Sequence, residues 1–371
     1  MFLPVPTHSA SFPGMSSTTH ERTELPLPPF YRPEHAAFWG YRPDQQALFE
    51  QAIAWRRELG LTPASEDEVR VHLLLVDLQK DFCFPEGSLY VGGRSGEGAI
   101  RDNDRTARFI YSALGVITQI TCTMDTHFPH QIFSPSFWLT EEGTTPVPHR
   151  EVRTADVRAG HLRPNPALAP YFTAGNYERL WRQAVFYCEE LEKSGKYTLY
   201  LWPPHCILGS AGHALAGVVH EARMFHAFAR VAPNDIEMKG DNPLTENYSV
   251  LSPEVRSWFD GVALAERNTA FIARLRQSDA VVIAGQAASH CVKHTIDDLL
   301  GSIDERLVRK IYILRDCMSS VAVPDPSRQG EFLFDFTPQA EAALGRFADA
   351  GMHVVDSTTP IREWPDFPVA G

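Results

Sequence analysis

The stretch Gly285-Gln286-Ala287-Ala288-Ser289-His290-Cys291-Val292-Lys293-His294-Thr295 decides how this chain is read. Directly before it runs Ala280-Val281-Val282-Ile283-Ala284, with the length and β-branched content of a strand buried in a parallel sheet. Gly285 ends that strand, small residues follow, and Ile296, Leu299 and Leu300 then recur at helical spacing. Cys291 therefore falls where a strand turns into a helix, at the carboxyl end of a sheet, which is where open α/β sheets place their sites. A thiol near a helix N-terminus also feels a field that favours thiolate. The competing reading is a small buried core residue, a common fate of free cysteine.

Working outward, the same strand-then-polar pattern recurs. Val71-His72-Leu73-Leu74-Leu75-Val76 is a near-continuous apolar run that ends in Asp77. A second strand, Val116 to Thr123, leads into Met124-Asp125-Thr126-His127, and Asp235 to Lys239 is a short strand ending in a lysine. Tyr197 to Trp202 reads as a short strand running into Pro203-Pro204-His205-Cys206; further strands are expected at Lys310 to Leu314 and Met352 to Val355. Helices are predicted over Asn103–Leu114, Tyr177–Lys193, Ala214–Ala229, Leu264–Gln277 and Pro338–Ala348. The alternation predicts a three-layer α/β/α fold around a mainly parallel, Rossmann-like sheet of about six strands, with right-handed crossovers. Residues 1–70 read as an N-terminal extension, with residues 1–35 extended or partly disordered and an amphipathic helix between Pro43 and Leu59. Residues 71–356 form the main domain and 357–371 a tail. Residues 128–199 are too long for a structureless loop and read as an inserted lid or subdomain.

Composition narrows the function classes. The 371 residues are 44% apolar and 22% charged, an ordinary globular mix. A formal net charge of -12 disfavours nucleic acid or an anionic membrane as partner. No apolar run approaches the ~18 residues of a membrane span, and Met1 to Ser11 makes a poor signal peptide. Six scattered cysteines without paired spacing suit a reducing cytoplasm.

Four strand ends thus bring Asp77, Asp125 with His127, Lys239 and Cys291 toward one rim. Buried unpaired charges are costly, so the economical account is that Asp77, Lys239 and Cys291 meet. In that account the lysine favours thiolate and the aspartate moves a proton. With Val76-Asp77-Leu78-Gln79-Lys80-Asp81-Phe82, Asp125-Thr126-His127, Trp202-Pro203-Pro204-His205-Cys206, Lys239, Tyr248-Ser249 and Gly285 to Cys291 in this order, the sequence resembles the nicotinamidase/isochorismatase-like cysteine hydrolases over residues 71–127 and 200–356.

The resemblance implies a catalytic triad of Asp77, Lys239 and Cys291, with the Cys291 thiolate attacking a carboxamide and forming a thioester. It implies a cis peptide between Gln286 and Ala287 and an oxyanion hole from the N–H groups of Ala287 and Cys291. Asp125, His127 and His205 match the metal ligands of nicotinamidases, a donor set suited to Zn2+ and also to Fe2+ or Mn2+, where the metal holds the pyridine nitrogen. Phe82, Trp202 and Tyr248 match substrate-pocket positions and would stack on a planar ring. Taken alone, Asp125 and His127 read as a strand-end turn, and Phe82 and Trp202 as core aromatics. Cys206 and Cys317 are expected to be packing residues, His290 a pocket wall, and Cys83 a residue near the rim.

The implied activity is hydrolysis of nicotinamide to nicotinate and ammonia by a cytoplasmic homo-oligomer. Two alternatives stand beside it: hydrolysis of another small amide, N-carbamoyl or ureido compound, and a catalytically silent ligand-binding member of the fold. The chain departs from a compact nicotinamidase in its extension, in its long His127–His205 interval, and in Ala288-Ser289-His290, where small relatives often carry Thr, an acidic residue and Tyr.

Overall fold

The computed structural model describes residues 24–368 apart from Lys196, Asp304 and Gln329. Six parallel strands form the central sheet: β1 (Val71–Val76), β2 (Gln119–Asp125), β3 (Asn234–Lys239), β4 (Ala280–Gly285), β5 (Ile311–Leu314) and β6 (His353–Val355). Their spatial order is β6-β5-β4-β1-β2-β3, and every neighbouring pair is parallel. β1 and β4 occupy the middle and are buried along their whole length, which is why both read as unbroken apolar runs.

Strand alternation sorts the core into two layers. Leu73, Leu75, Ile120, Cys122, Val282 and Ala284 point to one face. There they meet helices α2 (Gly98–Ser112) and α4 (Gly217–Arg230), with α1 (Gln45–Leu59) packed outside α4. Leu74, Val76, Val281, Ile283, Ile311 and Ile313 point to the other face, against α5 (Thr269–Arg276), α6 (Cys291–Leu300) and α7 (Thr337–Asp349). This is the three-layer arrangement expected from the alternation of strands and helices.

The sheet accounts for the position of the site. β1 pairs Val76 with Gly285 of β4, and β2 pairs Asp125 with Lys239 of β3. Asp77, Asp125, Lys239 and the turn after Gly285 therefore share the carboxyl edge. Gly285 sits at φ +129°, and a Cβ there would lie 2.0 Å from the Val76 carbonyl oxygen, so only glycine lets β4 close against β1 at this point.

Residues 24–59 belong to the first core layer: Leu25, Tyr31, Leu48, Ala52 and Trp55 are buried with it. Of residues 1–35, expected to be extended or partly disordered, 1–23 lie outside the described residues, while Leu25 and Tyr31 are buried. Ile361, Trp364 and Phe367 of the tail are buried in the same layer. Helix α3 (Tyr177–Ser194) packs with Trp138 and Trp202 in a separate cluster. The stretch expected as a strand from Tyr197 is reduced to Leu199–Leu201, which pairs antiparallel with Arg150–Val152 outside the central sheet. Pro203 and Pro204 follow at once and cannot donate to a ladder. A hairpin of Ala322–Pro324 and Phe332–Asp335 was not expected from the sequence. No helix among the described residues is long and apolar enough to cross a membrane.

Candidate active site

Cys291 is the first residue of α6, directly after the turn that leaves β4. Lys239 Nζ lies 3.6 Å from Cys291 Sγ, 2.9 Å from Asp77 Oδ2 and 3.0 Å from Asp125 Oδ1. It also donates to the Asn247 carbonyl at 2.8 Å. All four side chains are buried, so the ammonium is surrounded by the anions and dipoles that a charge needs when removed from water. Asp77 is held from both sides by Thr123, whose hydroxyl donates to Asp77 Oδ1 at 2.5 Å and accepts from the Asp77 N–H at 3.0 Å.

Electrostatics separate the two carboxylates. Burial pushes Asp77 up and Asp125 adds to the push, while Lys239 opposes it. Burial acts on Asp125 in the same direction, but His127 and Lys239 outweigh it and hold that carboxyl below the usual range. Burial works against the charge of Lys239, and Asp125 and Asp77 more than restore it. The Cys291 thiol is pushed well above its ordinary value by burial; Lys239 pulls it down, while Asp77 and Asp125 raise it and Asp77 bonds to it. The lysine thus exerts the pull expected of it, but burial outweighs that pull and favours the protonated thiol in the resting site.

Asp125, His127 and His205 offer ligand atoms within 4.8 Å of one another. His127 Nδ1 contacts the His205 carbonyl at 3.0 Å, and His205 Nδ1 contacts the Pro203 carbonyl at 2.7 Å. Each Nδ1–H donates outward, which leaves both Nε2 atoms facing the carboxylate, the orientation that backbone acceptors give to metal-bound imidazoles. Asp125 Oδ1 and His127 Nε2 are buried without hydrogen-bond geometry to any partner, though they stand 3.0 Å apart. Burial lowers His205 to about 4; His127 is raised because Asp125 overcomes its burial. A proton shared by Asp125 and His127 is one way to fill this space, and a divalent cation held by one carboxylate and two imidazoles is the other. The donor set fits such an ion.

Gln79 and Asp81 set up this arm, and their roles are not evident from strand-end reading. Gln79 donates to the Asp125 carbonyl at 2.8 Å and accepts from the Asp125 N–H at 2.7 Å, fixing the backbone of the carboxylate ligand. Asp81 accepts from the Cys206 N–H at 2.7 Å, beside His205.

A narrow cavity of about 30 Å³ opens onto Cys291 and Asp125, walled by Phe82, Trp202, His205, Tyr248 and His290. All three aromatic residues expected at the pocket line it, and Trp202 Nε1 donates to the Tyr248 hydroxyl at 2.8 Å. Glu246 also lines it, pushed up to about 8 by burial; no sequence pattern marked this residue. Cys83 does not line it; Cys83 and Cys317 are buried in the first core layer, and Cys206 is buried in a small cluster with Phe82 and Ala287. A larger open groove, about 620 Å³, adjoins Lys239 but has no other residue of this cluster in its walls. The Gln286–Ala287 peptide is cis. Ala287 also lines the cavity, and among the described residues neither its N–H nor that of Cys291 has a backbone acceptor.

No family model matches the chain. It is 29% identical to the nicotinamidase of Escherichia coli (strain K12) over 102 residues, which are 27% of this chain and 39% of that relative's length. Among solved structures it is similar to the nicotinamidase/pyrazinamidase of Acinetobacter baumanii, at 16% identity over 79% of this chain and 99% of that one, with TM-score 0.46. It is similar to the yeast nicotinamidase bound to the inhibitor nicotinaldehyde, at 17% over 77% and 99%, with TM-score 0.47. It is also similar to the pyrazinamidase of Pyrococcus horikoshii in complex with zinc, at 19% over 77% and 99%, with TM-score 0.37. The chain is thus similar in sequence to part of the bacterial nicotinamidase, spanning about two fifths of that relative's length.

Proposed function

We propose that the protein is a cysteine amidohydrolase that converts a small planar carboxamide, nicotinamide in the first instance, into the carboxylic acid and ammonia. The observation that carries this reading is one buried ammonium, Lys239, within 3.6 Å of a thiol and 3.0 Å of two carboxylates beside a cavity walled by aromatic rings.

In the first half-reaction the Cys291 thiol gives its proton to Asp77 and the sulfur attacks the amide carbon. The Ala287 and Cys291 N–H groups receive the charge that develops on the carbonyl oxygen; a single donor of this kind contributes about 2.7–4 kcal/mol to the barrier. Asp77 passes the proton to the departing nitrogen, ammonia leaves, and a thioester remains. In the second half Asp77 takes a proton from water as its oxygen attacks the thioester. The proton returns to sulfur and the acid is released. Lys239 keeps its charge throughout and holds Asp77 and the sulfur together.

Asp125, His127 and His205 would hold a divalent cation at the far wall of the cavity. When bound there, the ion supplies a Lewis-acidic anchor for a ring nitrogen of the substrate. The aromatic walls of Phe82, Trp202 and Tyr248 support a flat substrate.

The test is ammonia release from nicotinamide by the purified protein, with and without a chelator. We expect turnover that a chelator slows at least about tenfold and that Zn2+, Fe2+ or Mn2+ restores, and none in a folded Cys291→Ala variant. Turnover by Cys291→Ala overturns the thioester; turnover indifferent to chelation overturns the anchoring of the ring on the cation.

A further inference from the structure

Behind the nucleophile turn lies a ring of hydrogen bonds that the hydrolytic reading does not use. Asp102, buried on α2, accepts from the Gln286 side-chain amide at 2.8 Å through Oδ2. The Gln286 side-chain oxygen in turn accepts from the Ser319 N–H at 3.2 Å. The Ser319 carbonyl accepts from the Ala288 N–H at 2.8 Å. The Ser319 hydroxyl returns to the Asp102 carboxylate and closes the ring. The Gln286 N–H is tied to the Val76 carbonyl at 2.8 Å, one residue before Asp77.

The peptide inside this ring is Gln286–Ala287; Ala287 lines the cavity, and its N–H is one of the two proposed oxyanion donors. Its orientation is therefore set by a carboxylate on a helix, through one amide side chain, and not by the turn alone. We propose that Asp102 is a positioning residue of the oxyanion hole, acting through Gln286 and Ser319 on the Ala287 N–H; the proposal rests on the hydrolytic reading given above.

Three features support it. Burial raises Asp102 only to about 6, with Ser319 and Gln286 opposing the rise, so at neutral pH the group is a carboxylate, the stronger acceptor. Gln286 is fully buried, so loss of Asp102 leaves its amide without a replacement from solvent. α2 also packs closely here: a Cβ on Gly98 would lie 2.4 Å from Ser319 Oγ, which leaves little room for the ring to rearrange.

Asp102→Leu removes the acceptor at similar size, and Asp102→Asn keeps one acceptor oxygen. The first should lower kcat for nicotinamide about 100-fold with KM within about threefold, the scale of a slightly misplaced catalytic group. Asp102→Asn should recover most of that loss. Alkylation of Cys291 by iodoacetamide needs no oxyanion donor, so its rate should stay within about twofold of wild type in both variants. If Asp102→Leu does not fold, Gln286→Met is subject to the same expectations. Unchanged kcat overturns the proposal, and so does a kcat that falls together with the alkylation rate. A wild-type protein that releases no ammonia from any carboxamide overturns the hydrolytic reading instead, before any variant is compared.

Discussion

Gly240 follows Lys239 at φ +84°, and a Cβ there would lie 2.8 Å from Asp125 Oδ1 and 2.9 Å from His127 Nε2. The residue lets the backbone pass beneath the proposed cation site, as only glycine can do in this conformation without cost. Gly240→Ala should push the carboxylate away from the imidazole and weaken divalent-ion binding about 10- to 100-fold, the usual scale for disturbing groups that support a metal ligand. Titration of the purified protein with Zn2+ or Mn2+ measures this without any turnover; unchanged affinity would place the ion elsewhere. At this scale Asp77, Lys239 and Cys291 were legible in the sequence because Asp77 and Lys239 close strands and Cys291 follows the turn out of a third, and strand ends share one edge of a parallel sheet. Gln79 and Asp102 act through partners 46 and 184 residues away, and no local pattern announces such a contact.

Elements rather than single residues enclose the cavity. The hairpin of Ala322–Pro324 and Phe332–Asp335 is followed by Phe336, whose ring meets His290 at 4.9 Å, and is preceded by Val321 on the cavity wall. Phe334 meets Tyr200 at 5.4 Å, and Tyr200 meets Trp202 at 4.5 Å. Residues 128–199 also reach the site: the Phe133 ring lies 4.7 Å from that of His127, and the Trp202 N–H donates to the Phe133 carbonyl. Short segments with a proline or an odd register carry little periodicity, so the hairpin could not be read in advance, whereas the six central strands could. Val321→Ala should enlarge the cavity by two methyl groups. The kcat/KM of a methyl-substituted nicotinamide relative to nicotinamide should then rise about tenfold or more, since one methylene in an apolar pocket is worth about 1–3 kcal/mol. An unchanged ratio would mean that Val321 does not set substrate size.

Over the whole molecule, acid stability is divided between opposing buried groups. Burial holds His72, on β1, and His226, on α4, near 4. The folded state therefore keeps both neutral where the unfolded chain, titrating near 6.5, takes up protons. Their contribution is complete above pH 6.5 and is lost as pH falls from there toward 4. At pH 5 each histidine costs about 2 kcal/mol relative to pH 7 or above. Asp102 and Glu246 act the other way: their folded values, about 6 and about 8, exceed those of free carboxyls, so acid favours the fold through them. The net slope mixes these contributions, and a variant isolates one. His226 bonds through Nε2 to the Ile117 carbonyl at 2.7 Å, a bond that a glutamine amide can replace without titrating. His226→Gln should be less stable than wild type at pH 7, by about 1 kcal/mol for an imperfect replacement. On going to pH 5 it should gain about 2 kcal/mol on wild type. Urea unfolding of both proteins at the two pH values measures that gain. A difference independent of pH would mean that His226 is already charged in the folded protein.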